Sequence, residues 1–142
     1  ETESFDQGRS WTFPHKSALE HVSARIFVRR LASGRVLLVK HGELYRKPDA
    51  RSHLTAYVSE DDCQTWTGGL LLDERRGVSY PDGFQSPDGL LTIVYDRNRV
   101  NGEILMATFT EEDVLAGRDV SGRLHLRIPV KQTEAVYREM GR

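Results

Sequence analysis

Arginine is the residue type of this chain with the most evident chemical potential. The sequence contains 16 arginines and only 4 lysines among its 142 residues. A guanidinium group binds carboxylates and phosphates through two parallel hydrogen bonds, whereas a lysine ammonium acts as a point charge. The excess of arginine therefore indicates a surface or cleft for anionic groups, although the nucleotide composition of the gene would produce the same bias.

Tyrosine, histidine and polar residues near predicted strand ends add further candidates for binding or reaction. The phenol of Tyr80 is one of the groups that serve as nucleophiles in covalent catalysis. Because Tyr80 precedes Pro81, we expect it to be extended, with its ring held in a defined direction. The candidates that accompany it are Arg25, His41, Arg51, His53, Asp96, Arg97 and Asn98.

Composition excludes several functional classes. Twenty Lys and Arg against 21 Asp and Glu give a net charge of -1, so no overall field recruits nucleic acid or a membrane surface. No apolar run approaches the roughly 20 residues of a spanning helix. Cys63 is the only cysteine, which excludes an internal disulfide or a multi-cysteine metal site. Since the chain also lacks a phosphate loop, an H-E-x-x-H motif and a calcium loop, we expect no cofactor and no metal.

Two short segments share the pattern S-x-D-x-(G/C)-x-(S/T)-W and indicate an internal repeat, the second starting 55 residues after the first. In such a turn the Asp accepts backbone N–H groups, Gly permits a positive φ, and Trp anchors the turn against a sheet. Cys63 occupies the Gly position, so it must adopt a left-handed conformation at some cost or alter the turn. The motif residues are Ser4, Asp6, Gly8 and Trp11, then Ser59, Asp61, Thr65 and Trp66.

The repeated motif resembles the Asp box, or bacterial neuraminidase repeat, of sialidases and related β-propeller proteins. This resemblance implies an all-β fold of four-stranded antiparallel blades, in which each box links the third and fourth strands and Asp6 and Asp61 are structural. At 55 residues per unit, 142 residues amount to about 2.6 blades, fewer than the four to eight that close a propeller. We therefore expect a partial propeller, two to three blades of about six. The remaining blades would come from the same gene or from other subunits.

The alternation of apolar runs and turn residues agrees with such blades. Residues 1–22 would end one blade, residues 23–73 would form the next, and residues 74–142 would form another with a C-terminal tail. Strands are predicted over residues 25–31, 35–41, 53–59, 69–73, 83–86, 90–96, 103–109 and 124–130. Thr110 and the acidic residues after it predict a short helix over residues 111–116 that ends at Gly117, and a terminal helix is predicted over residues 131–140.

Blade geometry sorts the polar residues between two faces. If the boxes join strands three and four, the turn between strands one and two lies on the same face as the boxes. The loop between strands two and three and the connection between blades then lie on the opposite face. We expect the candidate residues to converge there with Asp82 and Arg99, because loops on a rigid scaffold are where sites are commonly built.

The residues around Tyr80, in the segment GVSYPDG, resemble the sialidase segment that carries the nucleophilic tyrosine. Arg25 resembles the last arginine of that family's three-arginine cluster, and the tripeptide from Arg51 to His53 resembles a feature of less characterised neuraminidase-like proteins. The resemblance implies a retaining exo-glycosidase acting on terminal acidic sugars, with Tyr80 as nucleophile and Arg25 and Arg51 as anion ligands. A neutral tyrosine suits such a sugar because its carboxylate would repel an anionic nucleophile. The predicted contacts to the sugar are residues that blade geometry places at the same end: His41, His53, Asp96, Arg97 and Asn98.

Other functions on the same scaffold remain open. The acid/base aspartate, the glutamate partner of the tyrosine and the arginine of the F/Y-R-I-P motif cannot be assigned in these residues, so we expect the segment alone to be inactive. A carbohydrate-binding or protein-binding propeller and a polysaccharide lyase are the alternatives, because fold does not settle function. Expected partners are a glycan and the remaining blades, without nucleic acid or membrane. Likeness to family members would imply a periplasmic or secreted protein.

Overall fold

Eight strands form two four-stranded antiparallel sheets in the computed structural model, which describes residues 1–98 and 102–131. In each sheet the strands lie side by side in chain order, the up-and-down arrangement of a propeller blade. The first sheet contains β1 (Phe27–Arg30), β2 (Val36–His41), β3 (Leu54–Ser59) and β4 (Thr67–Asp73). The second contains β5 (Val78–Gln85), β6 (Leu91–Arg97), β7 (Glu103–Phe109) and β8 (His125–Lys131). The all-β fold of partial propeller blades is confirmed.

The apolar side chains of alternate strand positions fill the space between the two sheets. Residues i and i+2 of a strand lie on the same face, so each central strand directs one set of side chains into this core. From the first sheet the core takes Phe27, Leu37, Val39, Leu54, Ala56, Val58, Leu70 and Leu72. From the second sheet and the helix it takes Val78, Leu91, Ile93, Tyr95, Leu105, Ala107, Phe109 and Val114. The sheets are therefore packed face to face as neighbouring blades.

A buried carboxylate also joins the two sheets. Asp73, at the end of β4, is fully buried and is bonded by the Arg75 guanidinium at 2.9 Å from Nε and 2.6 Å from Nη2. The hydroxyl of Tyr95 in β6 donates to the same carboxylate at 3.1 Å. Burial acts to raise the pKa of Asp73, but the bonds from Arg75 and Tyr95 outweigh it and leave the pKa lowered. Asp73 is thus a charged link between the blades.

The short helix α1 (Glu111–Ala116) follows β7, as predicted from its capping residues. Thr110 and Asp113 form a reciprocal capping box, and Gly117 ends the helix with a φ of 64°. The helix packs on β4, where a side chain at Gly68 would meet the Val114 carbonyl oxygen at 2.3 Å. Among the described residues no helix has the length and apolar character needed to cross a membrane.

Both Asp boxes form the same hydrogen-bond network. Asp6 accepts from the backbone N–H and hydroxyl of Ser10 at 2.9 and 2.7 Å, and Asp61 accepts from those of Thr65 at 2.8 and 2.6 Å. The hydroxyl and backbone bonds hold the pKa of each carboxyl at about 2. The second box joins β3 to β4, as the resemblance implied. The first lies in residues 1–26, which contain no helix or strand.

The box tryptophans are less anchored than the motif predicts. Trp66 is half-buried, but Trp11 is 62% exposed, so it does not anchor its turn against a sheet within the described residues. Its turn is closed instead by the flanking chain, where the N–H of Thr12 donates to the carbonyl oxygen of Glu3 at 2.8 Å. In the part of the chain that the structure describes, the first box therefore forms its local turn without a sheet behind it.

Cys63 has a φ of 72°, close to the 84° of Gly8 in the first box, so it adopts the left-handed conformation rather than altering the turn. That conformation costs a residue with a Cβ roughly 1–2 kcal/mol. We expect Cys63→Gly to raise the free energy of unfolding by about 1 kcal/mol, because the greater freedom of glycine in the unfolded chain offsets part of the relief. Urea denaturation measures the change, and a lower midpoint than that of the wild type would contradict the expectation.

Strand boundaries differ from the prediction mainly in β5. This strand begins at Val78 rather than at Gly83, because its pairing with β6 starts at Val78 and Ser79 and resumes at Asp82 after an irregularity. The terminal helix predicted over residues 131–140 is wrong at Lys131, which ends β8. Its other residues and Arg99 lie outside the described residues.

Candidate functional site

The two ends of the sheets carry different kinds of groups. At one end, the β1–β2 turn lies beside the second box, where Arg30 bonds Asp62 at 2.6 Å and Arg35 bonds Glu60 at 2.6 Å. The β2–β3 loop and the connection from β4 to β5 therefore lie at the opposite end, as blade geometry predicts. There Arg51 contacts Tyr80, and Arg25 pairs with Asp82, two residues after Tyr80 in β5. We call these four residues the mouth surface.

Arg51 is the central residue of the mouth surface. Its guanidinium carbon lies 5.9 Å from the centroid of the Tyr80 ring, within the range of a cation–π contact. Nη1 donates to the Ser79 hydroxyl at 3.1 Å and Nη2 donates to the Ser23 carbonyl oxygen at 2.6 Å. The carbonyl oxygen of Arg51 in turn accepts from the N–H of Gly77 at 2.8 Å. Arg51 therefore connects the N-terminal segment, the β2–β3 loop and the start of β5.

Tyr80 is 44% exposed and does not have the extended backbone that Pro81 predicts. Its φ is 50°, in the left-handed region, where a residue other than glycine is strained. The reason is the irregular pairing of β5 with β6, which leaves Tyr80 and the buried Pro81 out of register between Ser79 and Asp82. The pairing irregularity, rather than the proline, sets the backbone at Tyr80.

Within the mouth surface, Arg25 forms an exposed ion pair with Asp82. Its Nη2 lies 2.9 Å from the carboxylate of Asp82, and the side chains are 52% and 60% exposed. Such a pair contributes about 0–1 kcal/mol, so an anionic ligand competes for Arg25 at little cost. The mouth surface therefore combines two guanidinium groups with an accessible phenol, an arrangement suited to a ligand that carries a carboxylate and a reactive carbon.

His41 lies behind the mouth surface and is fully buried. Its Nε2 is 2.9 Å from the carbonyl oxygen of Val78, and its Nδ1 is 3.2 Å from Nε2 of His21. Burial lowers the pKa of His41 and, with the charges of His41 and Lys40, lowers the pKa of His21 to about 4. Asp96, paired in register with Ser79, acts in the other direction on the pKa of His41. His41 supports the surface from within.

Three of the predicted site residues remain: His53, Arg97 and Asn98. His53, with a φ of 52°, bonds the Ser52 hydroxyl at 3.1 Å and lines an open groove of about 610 Å³ between the β2–β3 loop and the first sheet. Arg97 bonds Glu103 at 2.7 Å. Asn98 is exposed and reaches the start of β5 through its backbone N–H, 3.2 Å from the carbonyl oxygen of Gly77.

Sequence reasoning missed three residues that hold the mouth surface in place. Ser23 and Ser79 accept the hydrogen bonds of Arg51, and His21 meets His41. Ser79 lies beside Tyr80 in the segment GVSYPDG, but nothing in the sequence marks Ser79, Ser23 or His21 as a partner of Arg51 or His41. Within residues 1–98 and 102–131 no group of three or more His, Cys, Asp or Glu side chains is placed to hold a metal ion.

Comparison with known protein families shows to which family the chain belongs. The family model of the BNR repeat-like domain matches residues 1–93, a span that includes both Asp boxes, the whole first sheet and Tyr80. No curated protein and no solved structure matches the chain. The match agrees with the likeness of the two S-x-D-x-(G/C)-x-(S/T)-W segments to sialidase-type Asp boxes. The chain belongs to the BNR repeat-like domain family.

Proposed function

We propose that this chain is part of a sialidase-like exo-glycosidase that removes terminal acidic sugars from glycans with retention of configuration. The observation that carries the proposal is the contact of Arg51 with the half-exposed ring of Tyr80, with Arg25 on the same surface. Guanidinium groups bind a sugar carboxylate, and a phenol attacks a carbon beside that carboxylate without the repulsion an anionic nucleophile would meet.

In the proposed reaction Arg25 and Arg51 bind the carboxylate of the sugar. The Tyr80 oxygen forms a bond to the anomeric carbon while its proton passes to a carboxylate base. The bond to the aglycone breaks as an acid donates a proton to the leaving oxygen, and water then hydrolyses the tyrosyl–sugar bond. The base and the acid belong to other blades in this proposal.

Those further blades are proposed partners of the second sheet. The face of this sheet away from the first carries Phe84, 53% exposed, and Ile104, 38% exposed. Val94 and Met106, which pair with each other between β6 and β7, are partly exposed as well. An apolar sheet face of this kind suits packing by another blade, from the same gene or from another subunit.

The proposal is tested with the complete protein that the gene encodes, incubated with fluorogenic sialosides, uronides and neutral glycosides. We expect hydrolysis of the acidic substrates and little of the neutral ones. Binding of acidic glycans without turnover would overturn the hydrolase and favour the carbohydrate-binding alternative. Neither binding nor turnover would favour a protein-binding propeller.

Arg51→Lys tests the anion ligand separately from the chemistry. Lysine keeps the charge but loses the paired hydrogen bonds, so we expect KM for an acidic substrate to rise about tenfold. Arg118→Lys, at an exposed residue just after α1, is the matched control and should leave KM unchanged. An unchanged KM in Arg51→Lys would contradict the role of Arg51 as a ligand of the sugar carboxylate.

A further inference from the structure

Two histidines from distant parts of the chain meet behind the mouth surface. Nδ1 of His41, in β2, lies 3.2 Å from Nε2 of His21 in the N-terminal segment, and the ring centroids are 5.3 Å apart. The backbone N–H of His41 donates to the same His21 nitrogen at 3.3 Å. His41 is fully buried and His21 is half-buried, so the contact lies mostly away from water.

The partner of His41 determines which ring nitrogens of the histidine pair carry a hydrogen. The carbonyl oxygen of Val78 can only accept, so Nε2 of His41 carries a hydrogen and donates it at 2.9 Å. Neutral His41 then has a lone pair on Nδ1. Nε2 of His21 accepts the backbone N–H of His41, so it also carries a lone pair while both rings are neutral. One added proton is tolerated, because His41 can then donate from Nδ1 to an unprotonated His21 Nε2. A second added proton leaves two N–H groups facing each other and breaks the contact.

Each histidine is linked to one residue of the mouth surface by a two-residue step along the chain. Val78, the partner of His41, lies two residues before Tyr80 in β5. Ser23, whose carbonyl oxygen accepts from Arg51 at 2.6 Å, lies two residues after His21. A movement of either ring therefore displaces the backbone that holds Tyr80 or the acceptor that holds Arg51.

The geometry points to His21 and His41 as a hydrogen-bonded pair of positioning residues that fixes Tyr80 against Arg51. The pair touches neither residue, and it acts through the Val78 and Ser23 carbonyl groups. Its catalytic consequence rests on the function proposed above. Its effect on the structure at the start of β5 does not.

The charges around the pair set the direction of its pH dependence. Lys40 of β2 and Arg51 of the β2–β3 loop disfavour protonation of both rings, while Asp96 of β6 favours protonation of His41. Lys40 itself is buried, with its ammonium bonded to the carbonyl oxygen of His41 at 2.7 Å and to that of Glu43. Because the folded chain binds protons less readily than the unfolded chain at both rings, stability falls as the pH drops below about 6.5.

The first experiment measures thermal unfolding of the full chain at pH 7.5 and pH 5. We expect the difference in Tm between the two pH values to shrink by about 4 °C in the double variant His21→Gln, His41→Gln relative to the wild type. His125→Gln, at an exposed histidine of β8, is the matched control and should keep the full difference. If the double variant keeps the wild-type pH dependence of Tm, the inference that His21 and His41 act as a pair is wrong. If that variant does not fold, His21→Gln alone, at the half-buried residue, answers the same question.

The second experiment tests positioning directly. In His41→Leu, hydrogen exchange of the amides at Gly77 and Tyr80 should become faster than in the wild type, with β7 unchanged. His41→Gln should restore slow exchange because its amide N–H can donate to Val78. Equal exchange in all three proteins would overturn the inference. In the proposed enzyme, His41→Leu should lower kcat by about 10²-fold, with partial recovery in His41→Gln. If the wild type shows the expected exchange pattern but no turnover, the proposed glycosidase activity is wrong and the inferred role of the histidine pair stands.

Discussion

Replacing Tyr80 with phenylalanine is expected to abolish hydrolysis of acidic glycosides by the complete protein, with kcat falling on the order of 10⁴-fold or more. The change removes only the hydroxyl, which is the proposed nucleophile. The ring that contacts Arg51 at 5.9 Å remains, so the binding of substrate and the fold should be preserved. The expected result is a loss of kcat with little change in KM, which steady-state kinetics with a fluorogenic sialoside measures.

Tyr45→Phe is the matched control for this experiment. Tyr45 is 60% exposed in the β2–β3 loop, and it lines a cleft beside Cys63 and Trp66 of the second Asp box rather than the mouth surface. Removing its hydroxyl should leave both kcat and KM at wild-type values. Equal activity of Tyr80→Phe and the wild type would eliminate Tyr80 as nucleophile and with it the retaining mechanism proposed here.

The largest expected effect on stability is that of Asp73→Ala. This change removes a fully buried carboxylate, and it leaves the Arg75 guanidinium and the Tyr95 hydroxyl at the contact between the sheets without their partner. Breaking a buried ion pair by removing one member costs about 3–5 kcal/mol. Because the Arg75 side chain is 29% exposed and can be partly rehydrated, we expect a loss near the lower figure. The midpoint of urea unfolding measures it.

Tyr95→Phe separates the hydrogen bond from the ion pair. It keeps the ring in the core and removes one donor to Asp73, so it should cost only about 1 kcal/mol. The lowered pKa of Asp73 adds a pH dependence whose direction follows from linkage. The stabilisation is present above the ordinary pKa of an aspartate and is lost as the pH falls through the lower value of the folded state. An Asp73→Ala protein as stable as Tyr95→Phe would contradict the link between the sheets.

Strand positions were largely predictable from the sequence because they depend on local pattern. The run from Val36 to His41 and the run from Leu54 to Ser59 are buried along their full length, as their apolar content indicates. The motif around Asp61 likewise specifies its own turn, since all of the hydrogen bonds of that carboxylate come from residues within four positions. Interactions of such short range can be read from one stretch of chain.

The backbone of Tyr80 was not predictable, because a local preference competes with a pairing that involves another strand. Pro81 favours an extended Tyr80, but the register of β5 with β6 imposes a φ of 50°. On both sides of Tyr80 the strands remain paired through hydrogen bonds, with Ser79 opposite Asp96 and Asp82 opposite Val94. Those bonds form only when residues far apart in sequence are brought together.

The sequence by itself determined the Asp boxes, the succession of antiparallel strands and the family, because each follows from residue types within one turn or one strand. Only the tertiary structure decided which polar residues act together. The packing of the sheets brings Arg51 to Ser23 and Ser79, and His41 to His21. It also brings Asp73 to Tyr95 and pairs Arg97 with Glu103. The physical reason is that each of these contacts depends on sheet register and packing, which set distances of about 3 Å between groups that the chain separates by as many as 28 residues.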